Sequence, residues 1–102
     1  MAQRYSAALP AAILTDITGG GAEEGTYLLN VVNRSAGETV TVRIAVTSGG
    51  APGDADWLEY GARVEPNGVL SRWPFPVGDG WKVYAWSSTA VVSVNLLGVK
   101  EA

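Results

Sequence analysis

Apolar and polar side chains alternate along residues 39 to 47, TVTVRIAVT. A period of two places successive side chains on opposite faces of a β-strand, whereas an amphipathic helix repeats every 3.6 residues. The apolar face would carry Val40, Val42, Ile44 and Val46, with Arg43 on the opposite face. The segment is therefore predicted to be a half-buried strand.

Similar short segments, separated by Gly- and Pro-rich turns, continue along the whole chain, and no segment has the periodicity of a helix. The predicted strands are RYSAAL, ILTDIT, TYLLNVVNR, TVTVRIAVT, WLEYGARV, VLSRW, WKVYAWS and AVVSVNLLGVK. We therefore expect an all-β protein, a single-domain antiparallel β-sandwich (jelly-roll or Ig-like) or a flattened barrel of about eight strands. The domain would span residues 1–102, with residues 1–25 as an N-terminal arm or as edge strands.

Residues 26–34, TYLLNVVNR, are apolar on both faces, which predicts a central strand or one covered by another subunit. The short segment 35–38, SAGE, is typical of a turn. We therefore expect an antiparallel hairpin between this strand and TVTVRIAVT. The glycine-rich segments 19–25 and 48–56 are predicted loops, available for contacts outside the core.

In WLEYGARV, the alternation predicts that Leu58 and Tyr60 point inward and that Trp57 and Glu59 point toward solvent or a neighbouring molecule. The turn EPNG, residues 65–68, would then reverse the chain into VLSRW.

The composition excludes several functions. The chain has no cysteine and no histidine, so it cannot supply a thiolate nucleophile, a serine triad or a histidine zinc site. The net charge is −3, and the seven basic residues are scattered singly, unlike the basic stripe of a nucleic-acid-binding protein. No apolar run approaches the roughly 20 residues of a membrane span, and we expect a soluble protein without a cleaved signal.

Two motifs are candidate chemical sites. Asp54, Asp56 and Glu59 could offer oxygen ligands to calcium or act in an acid-dependent hydrolase, but their spacing matches neither an EF-hand loop nor an opposed carboxylate pair. The glycine run of TGGGAEEG lacks the Gly-Lys-Ser/Thr ending of a phosphate-binding loop. We therefore expect no enzymatic activity, no catalytic residue, no metal and no cofactor.

Aromatic residues crowd into the fourteen positions from 73 to 86, where Trp81 and Val83 would lie opposite Tyr84 and Trp86 on one strand. Surplus aromatic rings near a surface are typical of protein interfaces and sugar-binding platforms. The predicted interface residues are Trp57, Glu59, Trp73, Phe75, Trp81 and Trp86.

Residues 26 to 101 also contain an Asn-x-x-Asn-Arg stretch, a Val-Arg-Ile-Ala strand, ADWLEY, Pro-Asn-Gly-Val-Leu and a closing Gly-x-x-Glu. In this order the segments resemble the small virion structural proteins of tailed bacteriophages. The chain departs from that pattern in its proline-rich WPFPVGDG and its additional tryptophans.

The resemblance implies a β-sandwich that decorates a particle or joins tail or fibre parts, and it transfers no functional residue. It implies a virion location after synthesis in the bacterial host cytoplasm, with the major capsid protein or other virion proteins as partners. A homo-oligomer, most simply a trimer, is expected, and neither nucleic acid nor membrane. The alternative hypothesis is a carbohydrate-binding module or fibre tip that contacts host glycan through Trp57, Trp73, Trp81 or Trp86.

Overall fold

The structure is a computed structural model that describes residues 2–100, except for the side chains of Ala2, Trp73 and Lys100. In this range the chain forms eight strands: β1 (Ala2–Leu9), β2 (Thr15–Asp16), β3 (Gly25–Asn33), β4 (Val40–Thr47), β5 (Trp57–Val64), β6 (Val69–Val77), β7 (Lys82–Ser87) and β8 (Val92–Lys100). The described part of the chain contains no helix of the length and apolar character needed to cross a bilayer.

The strands form two four-stranded antiparallel sheets. Sheet I has the order β1-β8-β3-β6, and sheet II has the order β2-β7-β4-β5. Each strand of the first half pairs with one of the second half: β1 with β8, β2 with β7, β3 with β6 and β4 with β5. A long antiparallel hairpin rolled into two sheets in this way is a jelly roll. The predicted β-sandwich is confirmed, and its topology is jelly-roll rather than Ig-like.

The core lies between the two sheets and consists of alternate residues of their inner strands. Most of these side chains are fully buried: Tyr27, Leu29 and Val31 of β3, Val40, Val42 and Ile44 of β4, Val83 and Ala85 of β7, and Val92, Val94 and Leu96 of β8. Burial alternates along β4 from Val40 to Ile44 as predicted, because burial on one face requires an apolar side chain at every second position. After Ile44 the alternation breaks, since Ala45 and Thr47 are buried and Val46 is half-buried.

Among the described residues Tyr27 is the largest fully buried side chain, and it lies directly opposite Gly98 in the pairing of β3 with β8. A side chain at position 98 would collide with the Tyr27 ring and with the carbonyl oxygen of Thr26. The glycine therefore leaves the space that the tyrosine ring occupies.

The predicted hairpin between β3 and β4 is wrong. β3 is a central strand of sheet I, as its two apolar faces predicted, but β4 lies in sheet II. The chain crosses between the sheets after Asn33, whose amide nitrogen Nδ2 donates hydrogen bonds to the carbonyl oxygens of Glu38 (2.7 Å) and Val64 (3.0 Å). The Asn33 Oδ1 accepts from the Ser35 amide at 2.9 Å. A short polar link is compatible with a hairpin and with a crossing, and the buried Asn33 stabilises the crossing.

The first part of the chain supplies the edge strands β1 and β2. The predicted strand ILTDIT is reduced to Thr15–Asp16, because the Asp16 carboxylate accepts hydrogen bonds from the Thr18 and Gly20 amides, both at 2.9 Å, and turns the chain out of the sheet. The loop that follows is held against the β6–β7 turn, where the Ala22 amide donates to the Trp81 carbonyl oxygen at 2.7 Å.

Candidate functional site

The residues predicted to form an interface fall into two separate places. Trp57 and Trp86 lie on the outer face of sheet II. Glu59, Phe75 and Trp81 line a cleft between the edge strands β5 and β6. The side chain of Trp73 lies outside the described residues.

Arg43 lies at the centre of the outer face of sheet II. In the sheet it pairs with Tyr60 of β5 on one side and with Trp86 of β7 on the other. Its guanidinium carbon Cζ is 4.3 Å from the Tyr60 ring centroid and 4.4 Å from the Trp86 ring. Both distances are within the range of a cation–π contact, so two rings hold one cation between them.

Two further rings extend this surface along the sheet. Trp57 packs edge-on against Tyr60, with ring centroids 5.1 Å apart and an interplanar angle of 72°. Trp57 and Tyr84 flank Ala45 in the sheet, and Ala45 is fully buried. We call this surface, made of Arg43, Trp57, Tyr60, Tyr84 and Trp86, the aromatic face.

The aromatic face depends on an irregularity in β5. The pairing of β4 with β5 skips Gly61 and then Leu58, and Gly61 has a φ of 86°, which favours glycine. The predicted inward positions of Leu58 and Tyr60 are therefore wrong, since Tyr60 is 63% exposed and stacks on Arg43. Glu59 instead turns toward the cleft.

The side chains of β7 alternate between the two faces of the sheet as predicted. Val83 and Ala85 are buried, while Lys82, Tyr84 and Trp86 are half-buried on the opposite side. Trp86 therefore reaches the aromatic face through plain alternation.

Two shallow pockets lie on the aromatic face. One, of about 300 Å³, is lined by Ala12, Leu14, Arg43, Trp57 and Trp86. The other, of about 310 Å³, is lined by Asp54, Trp57 and Tyr60. Trp57 therefore separates a pocket that contains a cation from one that contains a carboxylate.

The edge cleft is larger, with a volume of about 570 Å³, and is walled mainly by apolar side chains that include Leu58, Phe75, Pro76 and Trp81. The Arg72 Nη1 donates to the Glu59 Oε2 and so joins β6 of sheet I to β5 of sheet II. The ion pair lines the cleft together with two other polar residues, Asp56 and Ser71.

The acidic residues considered as a metal or hydrolase site have other contacts. Glu59 is paired with Arg72, and the Asp56 Oδ2 accepts a hydrogen bond from the Gly53 amide at 2.8 Å. Within residues 2–100, no group of three or more acidic side chains is placed to hold a metal ion.

Comparisons with protein-family models, with curated proteins and with solved structures found no match for this chain. The aromatic face and the edge cleft are therefore described by their own geometry alone.

Four residues of these surfaces were missed in the sequence: Arg43, Tyr60, Tyr84 and Arg72. Arg43 offered one signal, since it is the single charge within the strand TVTVRIAVT. Its two aromatic neighbours come from strands that are distant in sequence, so only the register brings them together.

Proposed function

We propose that this protein is a non-enzymatic structural component of a bacteriophage particle, a capsid decoration (cement) protein that binds through the outer face of sheet I. The sequence resemblance supports a virion role. The observation that carries the proposal is the near absence of charge on this face. Among its described side chains, Arg4 is the only charged one on β1, β3 and β8, and Arg72 borders the face on β6 beside Leu28 and Ser71. Val69, Leu97 and Val99 are 57%, 39% and 60% exposed.

The remaining positions of that face are small, apolar or uncharged. They include Leu28, Asn30 and Val32 of β3, Ser93 and Asn95 of β8, and Ser71, Pro74 and Pro76 of β6. Depletion of charge at the centre of a surface is typical of protein interfaces, and exposed apolar patches indicate contact sites. We call this surface the uncharged face.

The size of the uncharged face indicates how it would bind. Four strands of eight or nine residues cover roughly 19 by 28 Å, which is below the roughly 800 Å² per partner of a standard interface. One copy would therefore bind weakly, and several linked copies would bind firmly because their contacts add by avidity. This is the reason to expect a homo-oligomer, with a trimer as the simplest form, on a repeating shell. Decoration would stabilise the assembled shell by mass action.

The test uses heads of the encoding phage that were assembled without this protein. Added protein should raise the temperature at which the heads release DNA, and Val69→Arg should abolish the effect. Ile13→Arg is a matched control, because Ile13 is 56% exposed and belongs to a loop outside the uncharged face. If heads release their DNA at the same temperature with and without the protein, decoration is refuted. Binding to purified tails instead of heads would indicate a neck, tail or fibre accessory.

Solution mass provides the companion measurement. Light scattering coupled to size exclusion, repeated over a hundredfold dilution, should show a persistent trimer if the protein docks as a preassembled unit. A monomer at all concentrations would mean that avidity arises only on the particle.

A second candidate function is glycan binding through the aromatic face. The four rings, in two pairs that flank Arg43 and Ala45, offer flat apolar surfaces, and such rings bury large areas at little entropic cost. A glycan array would test this function, and silence across a broad array would count against it.

A further inference from the structure

The guanidinium group of Arg43 is held in position by two rings and lacks hydrogen-bond acceptors among the described residues. Its guanidinium is stacked between Tyr60 and Trp86, and its Nε is buried without a hydrogen-bond partner. Within residues 2–100 it makes no ion pair, whereas Arg63 and Arg72 each contact a glutamate. A guanidinium has five N–H donors. The buried Nε cannot reach an acceptor from outside, so such an acceptor would bind the Nη1 and Nη2 groups.

The acceptor that fits best is a carboxylate. A guanidinium binds a carboxylate through two parallel charge-assisted hydrogen bonds, and this geometry requires the planar group to be held in one orientation. The two rings that stack on Arg43 supply that orientation before any ligand arrives. Within residues 2–100, no carboxylate lines the pocket that Arg43 shares with Ala12, Leu14, Trp57 and Trp86.

The surroundings of Arg43 favour a sugar over an acidic peptide. The pocket of about 300 Å³ has apolar and aromatic walls that suit the apolar face of a pyranose ring. Beyond Trp57, the second pocket contains Asp54, whose carboxylate can accept hydrogen bonds from sugar hydroxyls but would repel a further acidic side chain.

We infer that Arg43 is the carboxylate-binding residue of a site for an acidic sugar, of the uronic or sialic acid class, that stacks against Trp57 and extends toward Asp54. This inference rests on the second candidate function, glycan binding, and is independent of decoration.

The test is isothermal titration calorimetry with two acidic saccharides, a galacturonate oligomer and sialyllactose, each paired with its own methyl ester. The ester keeps the sugar and removes the charge. At least one acid should bind ten or more times tighter than its ester. Arg43→Gln should abolish this preference, and Arg63→Gln, a change at an exposed arginine outside the aromatic face, should leave it intact.

The possible outcomes distinguish a failure of the acidic-sugar site from a failure of glycan binding itself. Equal binding of acid and ester would overturn the inference while leaving glycan binding in place. Binding of no saccharide would overturn both. Equally tight binding of a capped glutamate peptide would also overturn the inference, because the ligand would then be a protein carboxylate.

Arg43→Lys covers the case in which the glutamine variant does not fold. Lysine retains the charge without the planar pair of donors, so the acid preference should fall at least threefold. An unchanged preference in a folded lysine variant, as judged by thermal unfolding, would overturn the role of Arg43.

Discussion

The side-chain amide of Asn33 donates a hydrogen bond to the backbone carbonyl oxygen of Val64, 3.0 Å away. These are the last residues of β3 and β5, which belong to different sheets. Asn33 is 1% exposed and also reaches Glu38 and Ser35. One buried side chain therefore fixes the corner at which the chain leaves sheet I.

Replacing Asn33 with alanine should lower the free energy of unfolding by about 2 to 4 kcal/mol, because buried carbonyl groups lose their donor. Urea denaturation measures this loss. The same change at Asn95, on the outer face of sheet I, should cost less than about 0.5 kcal/mol. Equal costs at the two positions would contradict the role of Asn33.

The Glu59–Arg72 ion pair should contribute a measurable coupling energy of about 1 kcal/mol, because the side chains are only 24% and 34% exposed. A double-mutant cycle with Glu59→Gln and Arg72→Met isolates this energy. The Arg63–Glu65 pair is the control: its atoms are 4.0 Å apart and both side chains are 69% exposed, so its coupling should be close to zero. A larger coupling in the control pair would contradict this prediction.

Gly98→Ala should destabilise the protein by about 2 to 3 kcal/mol or more, because the added methyl group would lie 2.5 Å from the Thr26 carbonyl oxygen and collide with the Tyr27 ring. Chemical denaturation would measure the change. At Gly37 an added methyl group meets no atom within 4 Å, so Gly37→Ala should be neutral or slightly stabilising. Tolerance of alanine at position 98 would mean that the Tyr27 ring moves freely.

Stability should fall at high pH because of Tyr27. Burial, together with the neighbouring Tyr5, raises the pKa of the Tyr27 hydroxyl from 10.0 to about 12. The unfolded chain then loses the proton first, so the contribution is complete below pH 10 and is lost as the pH rises toward 12. Unfolding of wild type and Tyr27→Phe, compared at pH 8 to 12, should show a steeper decline in the wild type. Parallel curves would refute the effect.

The strands and the layered core could be predicted from the sequence, because burial of one face demands a period of two. Strand pairing could not. The link after Asn33 is compatible with either a hairpin or a crossing, and the choice depends on contacts with Glu38 and Val64. The facing of Tyr60 was mispredicted for a local reason, since a strand that bulges at Gly61 loses the alternation on which the prediction was built.

Part of the aromatic face could also be predicted from the sequence. Trp57 and Trp86 were predicted as contact residues because they are large rings on strands, and both lie on the aromatic face. Arg43 was missed because its importance comes from its neighbours in the sheet, and cross-strand neighbours follow from register, which is a property of the folded chain.

The order of sheet I has a consequence for synthesis. β8 lies between β1 and β3, and it follows both of them in the chain. Until β8 leaves the ribosome, β1 has no partner in sheet I and β3 lacks one of its two, so each exposes an unpaired strand edge. Folding of this sheet must therefore wait for β8 and involve a slow closing step, since it joins Ala2 to Val99. The nascent chain would be most prone to aggregation just before β8 appears, and a chaperone that shields β3 would act in that interval.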